Sequence, residues 1–294
     1  MKILRTADAR FEHIPDYPFA PHYHQLTDQL RLHYVDEGPR GAPPVLMMHG
    51  EPTWSYLYRH MIVPVAAAGL RVLAPDLIGF GKSDKPATKS DYNYAGHVAW
   101  MRHWLEALDL RDITLVCQDW GSLIGLRLAA ELPGRFARVL LSNGGLPEGT
   151  GAPKAFRRWR AFARYSPLFP IGRIVQAATR RRLSPAEIAA YDAPFPANAH
   201  KAGARIFPAL VPVEPDDVAV PDQQRAWQAF EAWTKPFICC FSDGDPITRG
   251  GDAPFLRRVP GTKGQPHVTL HGGHFIQEDD PEGFARAILS SCGR

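Results

Sequence analysis

Apolar residues along this chain keep two rhythms. Short apolar runs at residues 30–35, 44–48, 71–74, 113–117 and 138–141 read as strands. Between them Val98, Met101, Trp104, Leu105 and Leu108 recur on one face at helical spacing, and 119–132 reads as helix after a sharp turn. Apolar strands alternating with amphipathic helices predict βαβ units and a largely parallel sheet. From 145 to about 225 the rhythm changes: prolines such as Pro153, Pro167, Pro170 and Pro185 punctuate short helical pieces, and no strand pattern stands out. Strand signals resume at 237–241 and 267–270, and Pro281 opens a last helix to Leu289. The expected architecture is α/β, with a mostly parallel sheet flanked by helices. Residues 1–144 and 226–294 form its core, and 145–225 form a mainly helical insertion.

Composition narrows the class. With 294 residues, 45% hydrophobic and 22% charged, the chain is neither disordered nor of low complexity. The opening Met1-Lys2-Ile3-Leu4-Arg5 lacks an apolar signal region, and the run 62–70 is too short to span a bilayer, so a protein that stays inside the cell is expected. Cys239 and Cys240 are neighbours and Cys117 lies in an apolar run, which suggests buried small hydrophobes, not a disulfide framework. A net charge of +4 is too weak to argue for nucleic acid. Residues 149–186 nevertheless carry nine Lys or Arg and no acid, a segment read as solvated helix faces ahead of membrane or nucleic-acid contact.

The run Ile113-Thr114-Leu115-Val116-Cys117-Gln118-Asp119-Trp120-Gly121-Ser122 passes from apolar strand through a polar residue flanked by small ones into a helix. That spacing fits a nucleophile elbow with Asp119 where Ser is more familiar. An Asp before a helix is also a good N-cap, and the run alone does not separate the two. As a nucleophile, a carboxylate attacking sp³ carbon forms an ester that water can hydrolyse, whereas serine would form an inert ether.

Downstream, His271-Gly272-Gly273-His274-Phe275 sets a histidine on a loop beyond a strand end, the candidate general base His274. Ser242-Asp243-Gly244-Asp245-Pro246 offers two acids beyond another strand end; Asp245 is preferred as the imidazole's partner, with Asp243 as runner-up or turn former. Nucleophile, acid, histidine is the chain order that α/β-hydrolases use. Backbone N–H groups of Glu51, in His49-Gly50-Glu51-Pro52-Thr53-Trp54, and of Trp120 would form the oxyanion hole.

Those runs, with Gly79-Phe80-Gly81-Lys82-Ser83-Asp84-Lys85-Pro86, make the chain resemble a haloalkane dehalogenase from about Leu30 onward. The resemblance implies an α/β-hydrolase core, a helical cap at 145–225, no cofactor or metal, and conversion of a small halogenated hydrocarbon and water into alcohol, halide ion and a proton. It also implies two side-chain donors to the halide. One is Trp120; Glu51 in the loop and Asp245 resemble the subgroup whose second donor is a cap Trp, which points to Trp159, the only tryptophan between Trp120 and Trp227. Packing of the insertion onto the core is the competing role for Trp159. No nucleic-acid or membrane partner is expected, and a monomer is. An epoxide hydrolase using Tyr165 and Tyr191, and a non-catalytic ligand-binding protein on the same fold, are the alternatives.

Overall fold

The computed structural model describes residues 1–294. In chain order the strands are β1 (Ile3–Leu4), β2 (His22–Thr27), β3 (Leu30–Glu37), β4 (Pro44–Met48), β5 (Arg71–Pro75), β6 (Lys85–Pro86), β7 (Ile113–Asp119), β8 (Phe136–Gly144), β9 (Phe237–Ser242) and β10 (Val268–Leu270). The helices are α1 (Arg59–Ala67), α2 (Tyr94–Ala107), α3 (Trp120–Glu131), α4 (Lys154–Tyr165), α5 (Ile171–Ala178), α6 (Pro185–Asp192), α7 (Ala202–Leu210), α8 (Val220–Glu231), α9 (Ala253–Arg258), α10 (Ile276–Asp279) and α11 (Pro281–Ser291).

Eight strands form one sheet in the order β10-β9-β8-β7-β4-β5-β3-β2. From β5 to β10 every pairing is parallel, while β2 and β3 join antiparallel at one edge. The central strands β4 and β7 are buried almost throughout because helices cover both faces, which is why they read as continuous apolar runs. β2 escaped the sequence reading. Its HYHQLT is half-exposed, an edge strand without a clean apolar alternation.

α4 to α7 lie between β8 and β9, where no strand interrupts them. α8 runs through the expected boundary at 225/226. Its Trp227 indole donates to the Leu146 carbonyl (2.8 Å) and its Gln223 amide to the Pro147 carbonyl (3.0 Å), so the helix packs as one piece on the core beside α3. Most basic residues of 149–186 are exposed, as expected, Arg157 included, while Arg181 is half-buried in an ion-pair cluster. Arg181 donates to Glu187 and Glu278, and Arg157 pairs with Glu214. Arg59, Glu278 and Tyr191 are fully buried, and Arg59 donates to Glu278 at 2.6 Å and to Glu187 at 2.9 Å, while Tyr191 donates to Glu278. This cluster ties α1 and α10 to α6. No helix is long and apolar enough to cross a membrane, and the four cysteines are free.

Candidate active site

β7 passes into α3 without a loop, so the last strand residue, Asp119, takes the whole turn at φ 49°, ψ −125°. Non-glycine residues rarely adopt this conformation, and it projects the carboxylate beyond the sheet edge. Close packing makes the turn possible: a Cβ on Gly121 would lie 2.0 Å from the Met48 carbonyl oxygen. The Ser122 hydroxyl closes the turn, donating to the Asp119 carbonyl (2.5 Å) and accepting from the Gly145 N–H (2.9 Å). The Asp119 side chain caps nothing; its Oδ1 accepts from the Glu51 N–H at 2.7 Å. The N-cap reading therefore drops out. Trp120 opens α3, where a backbone N–H has no partner within its own helix.

His274 follows β10 and is buried, its Nδ1 2.8 Å from Asp245 Oδ2 and its Nε2 3.6 Å from Asp119 Oδ2. Asp245 is in turn held by the Ile247 N–H (2.8 Å) and the Thr248 hydroxyl. Asp243 lies elsewhere: it meets His271 at 2.9 Å, the Gly272 N–H at 3.1 Å and Arg180 at 3.1 Å. Burial by itself disfavours an imidazolium, but the charges of Asp245 and Asp119 outweigh it and push His274 up to about 10. Conversely, burial would raise the Asp245 carboxyl, and His274 overrides it and holds Asp245 down at about 2.

A cavity of about 620 Å³ opens above the pair. Asp119, Glu51 and His274 form its floor, and α4 supplies Phe156, Trp159 and Phe162 to the wall. These three recur at i, i+3, i+6 and so share one side of the helix. Trp159 stacks with Phe162 and with Phe169, each at 5.8 Å between ring centroids. Trp120 is buried next to Asp119 in the chain, its ring 4.4 Å from Phe207 and 5.2 Å from Tyr94, and it is not among the residues that line the cavity. Neither tyrosine of the epoxide alternative lines it either: Tyr165 is 72% exposed and Tyr191 is engaged with Glu278.

Three contributors to the site carried no assigned role in the sequence. Gln118 sets its amide nitrogen 3.0 Å from His274 Nε2. Asn143, at the end of β8, donates to the carbonyls of Gly273 (3.0 Å) and His274 (2.9 Å). Asp279 accepts from the N–H groups of Gly273, Arg180 and Arg181, while the His274 N–H donates to the Ala178 carbonyl at 2.8 Å. The base loop is thus stitched to the end of α5. Only Gln118 had a signal, its place directly before Asp119.

A carboxylate on a strand-to-helix turn of a parallel sheet, with a histidine and its acid returning from later strands, is the arrangement of an α/β-hydrolase. The family model for the alpha/beta hydrolase fold matches residues 43–281, more than half of the chain. Haloalkane dehalogenases of Mycobacterium marinum and Psychrobacter cryohalolentis are 53% and 54% identical to it, covering 99% and 98% of this chain and 99% and 97% of their own. The tetrameric haloalkane dehalogenase DpaA from Paraglaciecola agarilytica superposes with a TM-score of 0.91 at 34% identity, over 100% of this chain and 98% of that one. The chain belongs to the haloalkane dehalogenases.

Proposed function

We propose that this chain hydrolyses haloalkanes through an alkyl-enzyme ester on Asp119. The observation that carries the reading is the posture of that carboxylate: Oδ1 is held by the Glu51 N–H at 2.7 Å, and Oδ2 stands 3.6 Å from His274 Nε2, under an open cavity. Asp119 displaces halide in line from carbon, giving an ester. Trp120 and Trp159 give their indole N–H groups to the departing anion; an indole donates and does not accept, which suits an anion in apolar surroundings.

Ester formation also resets the base. While Asp119 is an anion, two carboxylates hold the proton on His274. Alkylation turns Asp119 into a neutral ester and leaves Asp245 alone, so His274 yields its proton more readily to solvent, which is the proton the overall reaction releases. Neutral His274 then takes a proton from water as that water attacks the ester carbonyl carbon, and Asp245 stabilises the returning imidazolium. The Glu51 and Trp120 N–H groups receive the oxyanion. On collapse the bond from the ester carbon to the alkyl oxygen breaks, that oxygen takes the proton of the His274 imidazolium and leaves as alcohol, and His274 recovers a proton from the new Asp119 carboxyl, which returns to its carboxylate.

The inserted residues before α8, 145–219, act as the cap over this cavity, and no cofactor takes part in the steps. Free cysteines fit a protein that works inside the cell. A monomer is expected; light scattering tests it, with a tetramer like that of DpaA as the contrary result. Halide release from a panel of brominated alkanes, with an epoxide as control, tests the activity itself. Turnover of the epoxide alone, or near-normal bromide release by a folded Asp119→Ala variant, would end this reading.

A further inference from the structure

The backbone of Glu51 holds the nucleophile, but its side chain has no part in the mechanism above. It is buried, with 4% exposure, and its Oε1 is sealed from solvent without any hydrogen-bond partner. The residue lines the cavity beside Asp119, His274 and Trp159. The groups that face it come from every side of the site. Asp119 on the elbow repels an anion there, and His274 on the loop after β10 attracts one. The Trp159 indole on α4 leans on the carboxyl, and Arg173 on α5 and Arg180 beyond it line the same cavity. A carboxylate with one oxygen unpartnered, next to a second carboxylate, is a costly thing to bury, whereas a carboxylic acid is less so, and the acid brings an O–H donor. Burial first, then the charge of Asp119, pushes the Glu51 carboxyl well above its ordinary range, against a smaller pull from His274 and Trp159.

Alkylation moves negative charge within this one cavity, from Asp119 to the halide. A donor that lines this cavity together with Asp119 and Trp159 can meet the charge in its new place. We propose that Glu51 works as an uncharged carboxylic acid in the halide pocket, its O–H a third hydrogen-bond donor to the departing anion beside the two indoles. Its neutrality is then a condition for halide to bind at all. The inference rests on reading this cavity as the halide site.

The test uses the full chain at neutral pH. Wild type must first release bromide from a bromoalkane and bind bromide by tryptophan fluorescence; failure there refutes the functional reading and takes this inference with it. Given binding, the infrared difference spectrum between bromide-bound and free wild type should contain the carbonyl stretch of a protonated carboxylic acid, shifted by the anion and missing from Glu51→Gln. Bromide affinity of Glu51→Gln should fall, by up to about tenfold, because an amide N–H is a weaker donor than an acid O–H. An ionised Glu51 gives the opposite sign. Its removal would then tighten bromide binding roughly ten- to a hundredfold by deleting a buried like charge, and wild type would show no protonated-acid band. Either of those results, with wild type binding bromide normally, overturns the assignment and leaves the functional reading intact.

Discussion

Asp245→Asn separates charge from shape at the base. The single amide oxygen can face either the His274 Nδ1–H or the Ile247 N–H, which use different oxygens of Asp245, and the negative charge 2.8 Å from the imidazole is gone. Against burial, His274 first and then Thr248 and Ile247 hold the acid from its ordinary 3.8 down to about 2, a net difference on the order of 2.5 kcal/mol that sets the scale of the His274 contact. Both groups are buried, so solvent screens little of it. Losing that much stabilisation of the imidazolium formed in ester hydrolysis slows the step roughly a hundredfold, and an amide that selects the wrong imidazole tautomer adds to this, up to about ten thousandfold in all. Displacement by Asp119 requires no base, so alkylation should survive.

The same pair sets a pH window. Asp245 is depressed, so its stabilisation is present above 3.8 and lost as pH falls through about 2. His274 is raised, so its share is full below 6.5 and lost as pH rises through about 10. Between 3.8 and 6.5 the pair contributes fully. In Asp245→Asn the acid limb should vanish, and the His274 titration should move down by about two pH units, as read by NMR. Rapid quench with a bromoalkane should show a burst of bromide equal to the enzyme, followed by slow alcohol. Unaltered steady-state turnover together with an unmoved His274 titration would refute the coupling of Asp245 to the base.

His274→Phe should stop the reaction at the ester, so mass spectrometry after exposure to a bromoalkane should find one alkyl group on the peptide containing Asp119; an unmodified peptide contradicts the role. Trp159→Phe keeps most of the ring stacked between Phe162 and Phe169 but removes the donor, so bromide affinity and the single-turnover alkylation rate should both fall, by about 1.5–3 kcal/mol for a charge-assisted bond. No change in either quantity would make Trp159 a packing residue. Arg59→Met leaves Glu278 buried with Arg181 and Tyr191 as its partners; denaturant unfolding should show a loss of about 3–5 kcal/mol, and a loss below 1 kcal/mol would mean that Arg181 alone neutralises the cluster.

What the sequence made legible is what local rules constrain. β4 and β7 must be apolar throughout because both faces are covered, and Asp119 is conspicuous because a turn without a loop demands small neighbours, as the 2.0 Å approach at Gly121 shows. His274 and Asp245 could be found because each follows a strand end with turn residues around it. Nothing local marks Asn143, whose partners lie more than a hundred residues away, or the part of Asp279's work that is done on Arg180 and Arg181 in the inserted segment. The same holds for the Arg59 to Glu278 contact, 219 residues apart.

The basic segment shows how this hides function inside an ordinary pattern. Read along the chain, nine cations without an acid are a solvated stripe, since their partners belong to other segments. Folded, Arg181 reaches Glu278 four residues after the base, Arg180 reaches Asp243 just before the base's acid, and the Ala178 carbonyl takes the His274 N–H. The charges and backbone of the α5–α6 connection therefore bear on the loops that carry His274 and Asp245. A substitution in that connection should alter ester hydrolysis before it alters substrate fit, because it touches the His274 loop directly and only Thr179 and Arg180 of it line the cavity.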